Sequence, residues 1–272
     1  MAFLRHSMAL TIAGFDPSGG AGVLADVRTF AAFDLQAGAA LTSVTFQNST
    51  EFLGAVHQTP ELVRAQVESL QKGSAIVCAK TGMLPTRAVA IEVARLFRET
   101  DLPRPIVDPV IMSSSGFRLM EEEAVSALVS DLMPLAGLVT PNIPEAETLT
   151  GLTISSEADM RRAAAALREL GARAVLIKGG HLGDQKAEGS RQEAESEEAI
   201  DVLDHDGRVT VFREQRVRGA AFHGSGCVLS AAIAAGLGKG MSLEDSVGTA
   251  KAFVLEALRN SVVDPQIQNR ER

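Results

Sequence analysis

A chain of 272 residues, 46% hydrophobic and 22% charged, has room for one large α/β domain, and no apolar run reaches the about 18 to 20 residues that span a bilayer. Its net charge of −8, with neither Trp nor Tyr, excludes the basic, aromatic-studded stripe by which proteins track nucleic acid. Two distant cysteines, Cys78 and Cys227, exclude a disulfide framework and a zinc site, and the opening MAFLRHSMALTIAGF is too weakly basic for a secretory signal, so a cytoplasmic chain is expected.

The predicted elements alternate along the chain. MALTIAG reads as a strand and VLADVRTFAAF as a helix, and LTSVTFQNS is a second strand that ends near Gln47. SAIVCAK with AVAIEVARLFRE, PIVDPVIM with EEEAVSALVSDLM, and GLVTPN with EAETLTG repeat the pairing before AVLIKGG adds a strand. This alternation predicts a doubly wound, mostly parallel sheet with helices on both faces. Ligands of such sheets sit beyond the carboxyl ends of the strands, where this chain places Asp16, Gln47, Lys80, Gly82, Met83, Asp108, Asn142, Glu145 and Lys178. Residues 183–198, GDQKAEGSRQEAESEE, hold six acidic and two basic side chains and no large apolar one, which predicts a mobile surface insertion or a lid over a nucleotide. The strands IDVLDHDG and VTVFRE follow it. One domain is expected over residues 1–262, with a disordered tail over 263–272.

Three motifs point to chemistry. GGAGVLAD has the G-x-G-x-x-A outline of a dinucleotide turn, but Gln47 stands where such a site wants an acidic residue, and close packing of helix on strand also explains the glycines. FHGSGC, residues 222–227, runs directly into VLSAAIAAGL. There Gly224, Ser225 and Gly226 let backbone N–H groups converge at a helix N-terminus, an anion hole suited to a transferring phosphoryl group. The positive potential is expected to lower the pKa of Cys227 and make it a proton acceptor or nucleophile; a small cysteine packed at a helix start is the alternative. In TPNIPEAETLTG, Pro144 and Glu145 suit the first turn of a helix, while Asn142 and Glu145 at N-x-x-E spacing suit a hydrated Mg²⁺ held by its waters. Lys178, followed by two glycines, suits a phosphate. No Walker A loop occurs, and Ser225 lacks a G-x-S-x-G elbow. His6, His57 and His205 read as surface residues, His181 and His223 as crevice residues, and Cys78 as core.

Seven blocks, TIAGFDPSGGAGVLADVRTF, SVTFQNS, AKTGML, VDPVIMSSSG, TPNIPEAE, VLIKGGHL and HGSGCVLSAAIAAGL, together resemble the hydroxymethylpyrimidine and phosphomethylpyrimidine kinases of thiamine biosynthesis, in the ribokinase superfamily. The resemblance covers about residues 8–258. It implies a ribokinase-like fold, ATP and Mg²⁺, and a homodimer. Gln47 would then bond the aminopyrimidine, Met83 and Val110 would line its pocket, and Gly14 and Asp26 would lie near it. Cys227 stands where sugar kinases of the superfamily carry an aspartate base, behind the amides of the Gly224, Ser225 and Gly226 loop. Asn142 and Glu145 match the metal and phosphate motif, and Lys178 and Asp108 are expected near the triphosphate. The chain departs from the family at Ser113 and Ser114, where a lysine or threonine is common, and at Phe222 and Ser225, where threonines are. The activity implied is phosphorylation of 4-amino-5-hydroxymethyl-2-methylpyrimidine to its monophosphate and then its diphosphate. A pyridoxal kinase of the same fold, an NAD-dependent oxidoreductase and a non-catalytic pyrimidine-binding protein are the rival readings.

Overall fold

The computed structural model describes residues 6–48, 51–113, 116–180, 198–217 and 224–263. In chain order it contains β1 (His6–Phe15), α1 (Gly22–Ala32), β2 (Gln36–Gln47), β3 (Phe52–His57), α2 (Pro60–Gly73), β4 (Ser74–Thr81), α3 (Arg87–Glu99), β5 (Ile106–Val107) and α4 (Glu122–Ala127). There follow β6 (Leu138–Val139), α5 (Ile143–Thr150), α6 (Glu157–Glu169), β7 (Ala174–Gly179), β8 (Glu198–His205), β9 (Arg208–Gln215), α7 (Ser225–Gly238) and α8 (Leu243–Val263). The strands form one sheet in the order β3-β2-β1-β4-β5-β6-β7-β8-β9. Pairing is parallel from β2 through β7, and β3, β8 and β9 run antiparallel at the edges.

The predicted mostly parallel sheet is therefore observed, and its central strands are apolar because both faces are covered. Successive side chains of a strand point to opposite faces. Val107, Val139 and Ile177 accordingly join a core that also holds Val93 of α3 and Ala163 of α6, whereas Ile106, Leu138 and Leu176 join a second core with Phe30 of α1 and Ile233 of α7. Helix α7 is buried along Val228–Gly236 and is apolar all round, as a helix enclosed by protein must be. The β8–β9 hairpin turns through Asp206 and Gly207, both at positive φ, which is the twist-matched geometry that Asp-Gly favours.

Two expected strands are much shorter than their apolar runs. PIVDPVIM contributes only Ile106–Val107 and GLVTPN only Leu138–Val139. Pro109 and Pro141 follow closely, and a residue without an N–H cannot continue a central ladder. The helix expected over EEEAVSALVSDLM breaks after Ala127 into a wide turn over Leu128–Leu132 and a tight one over Met133–Leu135 at Pro134. Of the acidic insertion, only Glu198 is described, and it opens β8 instead of belonging to a loop; residues 183–197 lie outside the described residues, as do 264–272 of the expected tail.

Candidate active site

The crevice is built by two loops that lean on each other at the carboxyl ends of the strands. After β1, Asp16 gathers the chain: its carboxylate accepts from the N–H of Ser18 at 2.9 Å and of Ala21 at 2.9 Å. Gly22 then starts α1 at φ +59°, where a Cβ would lie 2.2 Å from the carbonyl oxygen of Gly14. Gly224 caps α7 at φ +86°, where a Cβ would lie 2.1 Å from the carbonyl oxygen of Gly20. Glycine is required at both positions for the left-handed backbone and for the close approach. The glycines of GGAG thus hold the start of α1 against β1 and the start of α7.

Beyond Gly224 the N–H groups of Ser225, Gly226 and Cys227 occupy the first turn of α7, which no side chain caps among the described residues. Gly226 faces a charged pair: a Cβ there would sit 3.1 Å from Lys178 Nζ and 4.0 Å from an Asp108 carboxylate oxygen. Lys178 donates to Asp108 Oδ1 at 2.9 Å, Thr140 donates to the same oxygen at 3.2 Å, and Ser230 of α7 donates to Oδ2 at 3.2 Å. Burial pushes the Asp108 carboxyl up, but Lys178 and Lys80 outweigh it and hold the group below its ordinary range. The site is thus a helix N-terminus and an ammonium brought to one place.

Pro144 and Glu145 do lie in the first turn of a helix, and Asn142 is its N-cap. The Asn142 side chain accepts from the Glu145 N–H at 2.8 Å and Glu145 returns the bond to the Asn142 N–H at 2.8 Å, closing a capping box at the start of α5. The backbone N–H of Lys178 donates to the Pro141 carbonyl at 2.9 Å, which sets this box beside the Lys178 pair. Burial, reinforced by Asp108 and opposed by Lys178, pushes Glu145 up to about 7.

Under the glycine loop lies a second charged pair. Lys80, within β4 and not after it, donates to both carboxylate oxygens of Asp26 at 3.0 and 2.9 Å, and Thr11 donates to Asp26 at 2.6 Å. Both charged side chains are fully enclosed. Asp26, expected near the substrate, has its carboxylate taken up by these two neighbours. Burial pushes the Lys80 pKa down, but Asp26 together with Cys227 and Asp108 outweighs it, so Lys80 stays an ammonium.

On the substrate side, Gly14 lies against Met83, whose sulfur would be 3.0 Å from a Cβ at that position. The Met83 carbonyl accepts from Thr42 at 2.6 Å. Gln47 is half-buried at the end of β2, with no side-chain hydrogen bond to another described residue. Val110, half-buried, follows Asp108 in a tight turn closed by a 2.9 Å backbone bond. A cleft of about 230 Å³ opens beside Met83, between Phe52, Ala55 and His57 of β3 and Pro85 and Arg118; of the expected site residues only Met83 lines it.

The sequence matches the family model described as phosphomethylpyrimidine kinase over residues 16–268. The chain belongs to the phosphomethylpyrimidine kinase family. It is similar to the hydroxymethylpyrimidine/phosphomethylpyrimidine kinases of Rhizobium meliloti, 38% identical over 253 residues, and Bacillus subtilis, 38% identical over 254, each match covering 93% of this chain and 90% of the relative. Among solved structures, it resembles the phosphomethylpyrimidine kinase of Clostridium difficile with a TM-score of 0.77 and 32% identity, over 92% of this chain and 99% of that one. It also resembles the pyridoxal kinase of Staphylococcus aureus in complex with AMP-PCP and pyridoxal, with a TM-score of 0.80 and 30% identity, over 94% and 88%. The fold is ribokinase-like.

Within this phosphomethylpyrimidine kinase family member, one electrostatic expectation is overturned. Cys227 was expected to have a lowered pKa; burial instead pushes the thiol up to about 11, against the pull of Lys80 and of the Gly22 N–H and with a push from Asp108 and Asp26. The sequence reading also passed over the partners Thr11, Thr140 and Ser230 and gave Lys80 no role. A signal was present: Lys80 and Asp26 are opposite charges inside elements otherwise read as apolar. Cys78 is core, as expected, and His57 is exposed with Nδ1 2.9 Å from the Ser43 hydroxyl. Ser114, His181, Phe222 and His223 lie outside the described residues; Ser113 closes a turn by accepting from the Phe117 N–H at 2.9 Å.

Proposed function

We propose that the protein transfers the γ-phosphoryl group of ATP to the hydroxymethyl oxygen of 4-amino-5-hydroxymethyl-2-methylpyrimidine, and then phosphorylates the monophosphate, in thiamine biosynthesis. The observation that carries this reading is the uncapped N-terminus of α7 facing the Lys178–Asp108 pair, since phosphoryl transfer needs positioning and charge stabilisation more than covalent chemistry. Gln47 offers the pyrimidine a donor and an acceptor, and Gly14, Met83 and Val110 shape the pocket around the ring. Lys178 and the N–H groups of Ser225, Gly226 and Cys227 hold the phosphate oxygens.

In the first step the hydroxyl oxygen bonds to the γ-phosphorus while the bond from phosphorus to the ADP oxygen breaks, and ADP leaves with the electron pair. The hydroxyl proton passes to the Cys227 thiolate. In the second step an ionised phosphate oxygen attacks and no proton need be removed.

Among the described residues no group of three or more His, Cys, Asp and Glu forms a cage for a metal ion. Mg²⁺ that arrives with a nucleotide needs only one or two carboxylates and its own waters. The enclosed carboxylate of Glu145, next to Lys178, fits that demand and would hold the ion through water, with Asn142 fixing its position. Bound there, the ion would neutralise phosphate charge. A homodimer and a cytoplasmic location complete this reading; among the described residues no helix is long and apolar enough to cross a membrane.

Pyridoxal kinase is the second reading, favoured by the likeness to the pyridoxal kinase of Staphylococcus aureus. Incubation with ATP, Mg²⁺ and each alcohol separately, with phosphates counted by mass spectrometry, separates the two. One and then two phosphates on the pyrimidine are expected; transfer to pyridoxal alone, or to neither, would overturn the proposal.

A further inference from the structure

We propose that Lys251 is a positioning residue for nucleotide binding: reaching Asp201 from α8, it neutralises a carboxylate that would otherwise draw Lys178 away from the start of α7. The inference rests on the reading of Lys178 as a phosphate contact.

Lys178 and Asp201 are register partners in the antiparallel pairing of β7 with β8, so their side chains leave one face of the sheet directly opposite each other. Leu176 and Leu203, register partners two residues away, identify that face, since both lie in the core shared with α7. Opposite charges in such a position, with Cβ atoms about 4.5 to 5.5 Å apart, are natural partners. Lys178 instead leans the other way along the sheet. It donates to Asp108 Oδ1 at 2.9 Å and faces Gly226 in the first turn of α7.

The Asp201 carboxylate is already taken. Its Oδ1 accepts from the Gly179 N–H at 2.9 Å and its Oδ2 from Lys251 Nζ at 2.6 Å. Lys251 lies four residues after Val247 on α8 and so shares the helix face that Val247 turns into the same core, where both charged side chains are at most 10% exposed. Stability alone gives little reason for this pair, because apolar side chains of similar volume commonly serve folding as well or better. Its place opposite the ammonium of the site does give a reason. Without Lys251, Asp201 is a buried charge short of a cation, which is costly, and Lys178 is the lysine opposite it. Asp108 could release Lys178 and still keep the bonds from Thr140 and Ser230.

The test compares Lys251→Met with Asp201→Asn in the full chain. Each breaks the buried pair, so each should lower the melting temperature. Only Lys251→Met leaves a bare carboxylate opposite Lys178, and only it should weaken ATP binding in calorimetry, by about tenfold or more for a lost charge-assisted contact, with the KM for the pyrimidine unmoved. Asp201→Asn keeps an acceptor for the Gly179 N–H and should bind ATP like the parent, and adding it to Lys251→Met should restore the affinity. If the methionine variant does not fold, Lys251→Gln keeps a hydrogen bond to Asp201 without cancelling its charge and allows the same comparison. Equal losses of ATP affinity in the two single variants, or none in the Lys251 variant, overturn the proposal. A crystal structure of the Lys251 variant should show the Lys178 ammonium on Asp201, and one that leaves it on Asp108 overturns the proposal as well. If the parent protein fails to bind ATP or to phosphorylate the pyrimidine, the functional reading falls, and that crystal structure still decides what Lys251 does to Lys178.

Discussion

At the scale of single residues, the thiol is the sharpest point of the site. A proton acceptor with a pKa pushed up to about 11 is mostly protonated at neutral pH, and its thiolate fraction rises about tenfold per pH unit below that value. The rate of alcohol phosphorylation should therefore climb from pH 7 to 9, whereas the second step, with a nucleophile already ionised, should stay nearly level. Initial rates of both steps over that range check this. Cys227→Ala should slow the first step by roughly 10²- to 10⁴-fold and leave the second much less affected; equal damage to both would assign Cys227 to the architecture of the anion hole instead. Gln47→Leu leaves pyrimidine groups unpaired and should weaken binding by about 1 to 3 kcal/mol in calorimetry. Gln47 could be singled out from the sequence because its type agreed with its position at the end of a strand, and Cys227 because it closes a glycine loop at a helix start. The pKa of Cys227 could not be read there, because the gain from a helix N-terminus is local and can be anticipated, while desolvation depends on everything packed around the sulfur.

At the scale of elements, the start of α5 shows how one spacing serves two ends. Asn142 and Glu145 close a capping box, and burial raises Glu145 from its ordinary value to about 7. Its folded pKa exceeds its unfolded one, so between about pH 4.5 and 7 the folded state holds more protons and stability falls as pH rises. The loss is at most roughly 3 kcal/mol, from 1.36 kcal/mol per unit. Glu145→Gln keeps the cap without the titration, so denaturant midpoints of that variant should change less across this window than those of the parent. A parent curve that is flat or rising there would contradict the assignment. Boundaries of such elements were only partly readable. The runs PIVDPVIM and GLVTPN have strand-like apolarity, but their pairing ends at two residues each because prolines follow, and the long helix after Met120 is divided by crowding near Pro134, which no periodicity displays.

At the scale of the whole molecule, the sheet divides two apolar cores and presents its candidate functional groups along one rim. That much was implied by the alternation of strand and helix patterns, together with the rule that ligands gather at carboxyl ends. The antiparallel edges β3, β8 and β9 were less accessible to such reasoning, since an edge pairing is chosen by what remains unsatisfied after the centre is assembled. A ligand that spans the rim stabilises both cores at once. With ATP at 100 times its dissociation constant the expected stabilisation is about 2.7 kcal/mol. For a chain of this size that corresponds to a rise in Tm of roughly 5 °C or more. Thermal scans with and without ATP and Mg²⁺ would show it, and no shift at saturating nucleotide would remove ATP from the crevice.

Helix α7 is enclosed along Val228–Gly236, yet its first turn is the part proposed to meet phosphate. Amide protons in its middle can reach solvent only when the core on its face of the sheet opens, so their hydrogen exchange should report large-scale opening and not local fraying. The proposed anion-binding turn is thus continuous with a segment expected to exchange slowly. Partial loosening that left the core intact would leave this turn in place, and heat inactivation should share its midpoint with the loss of the fold.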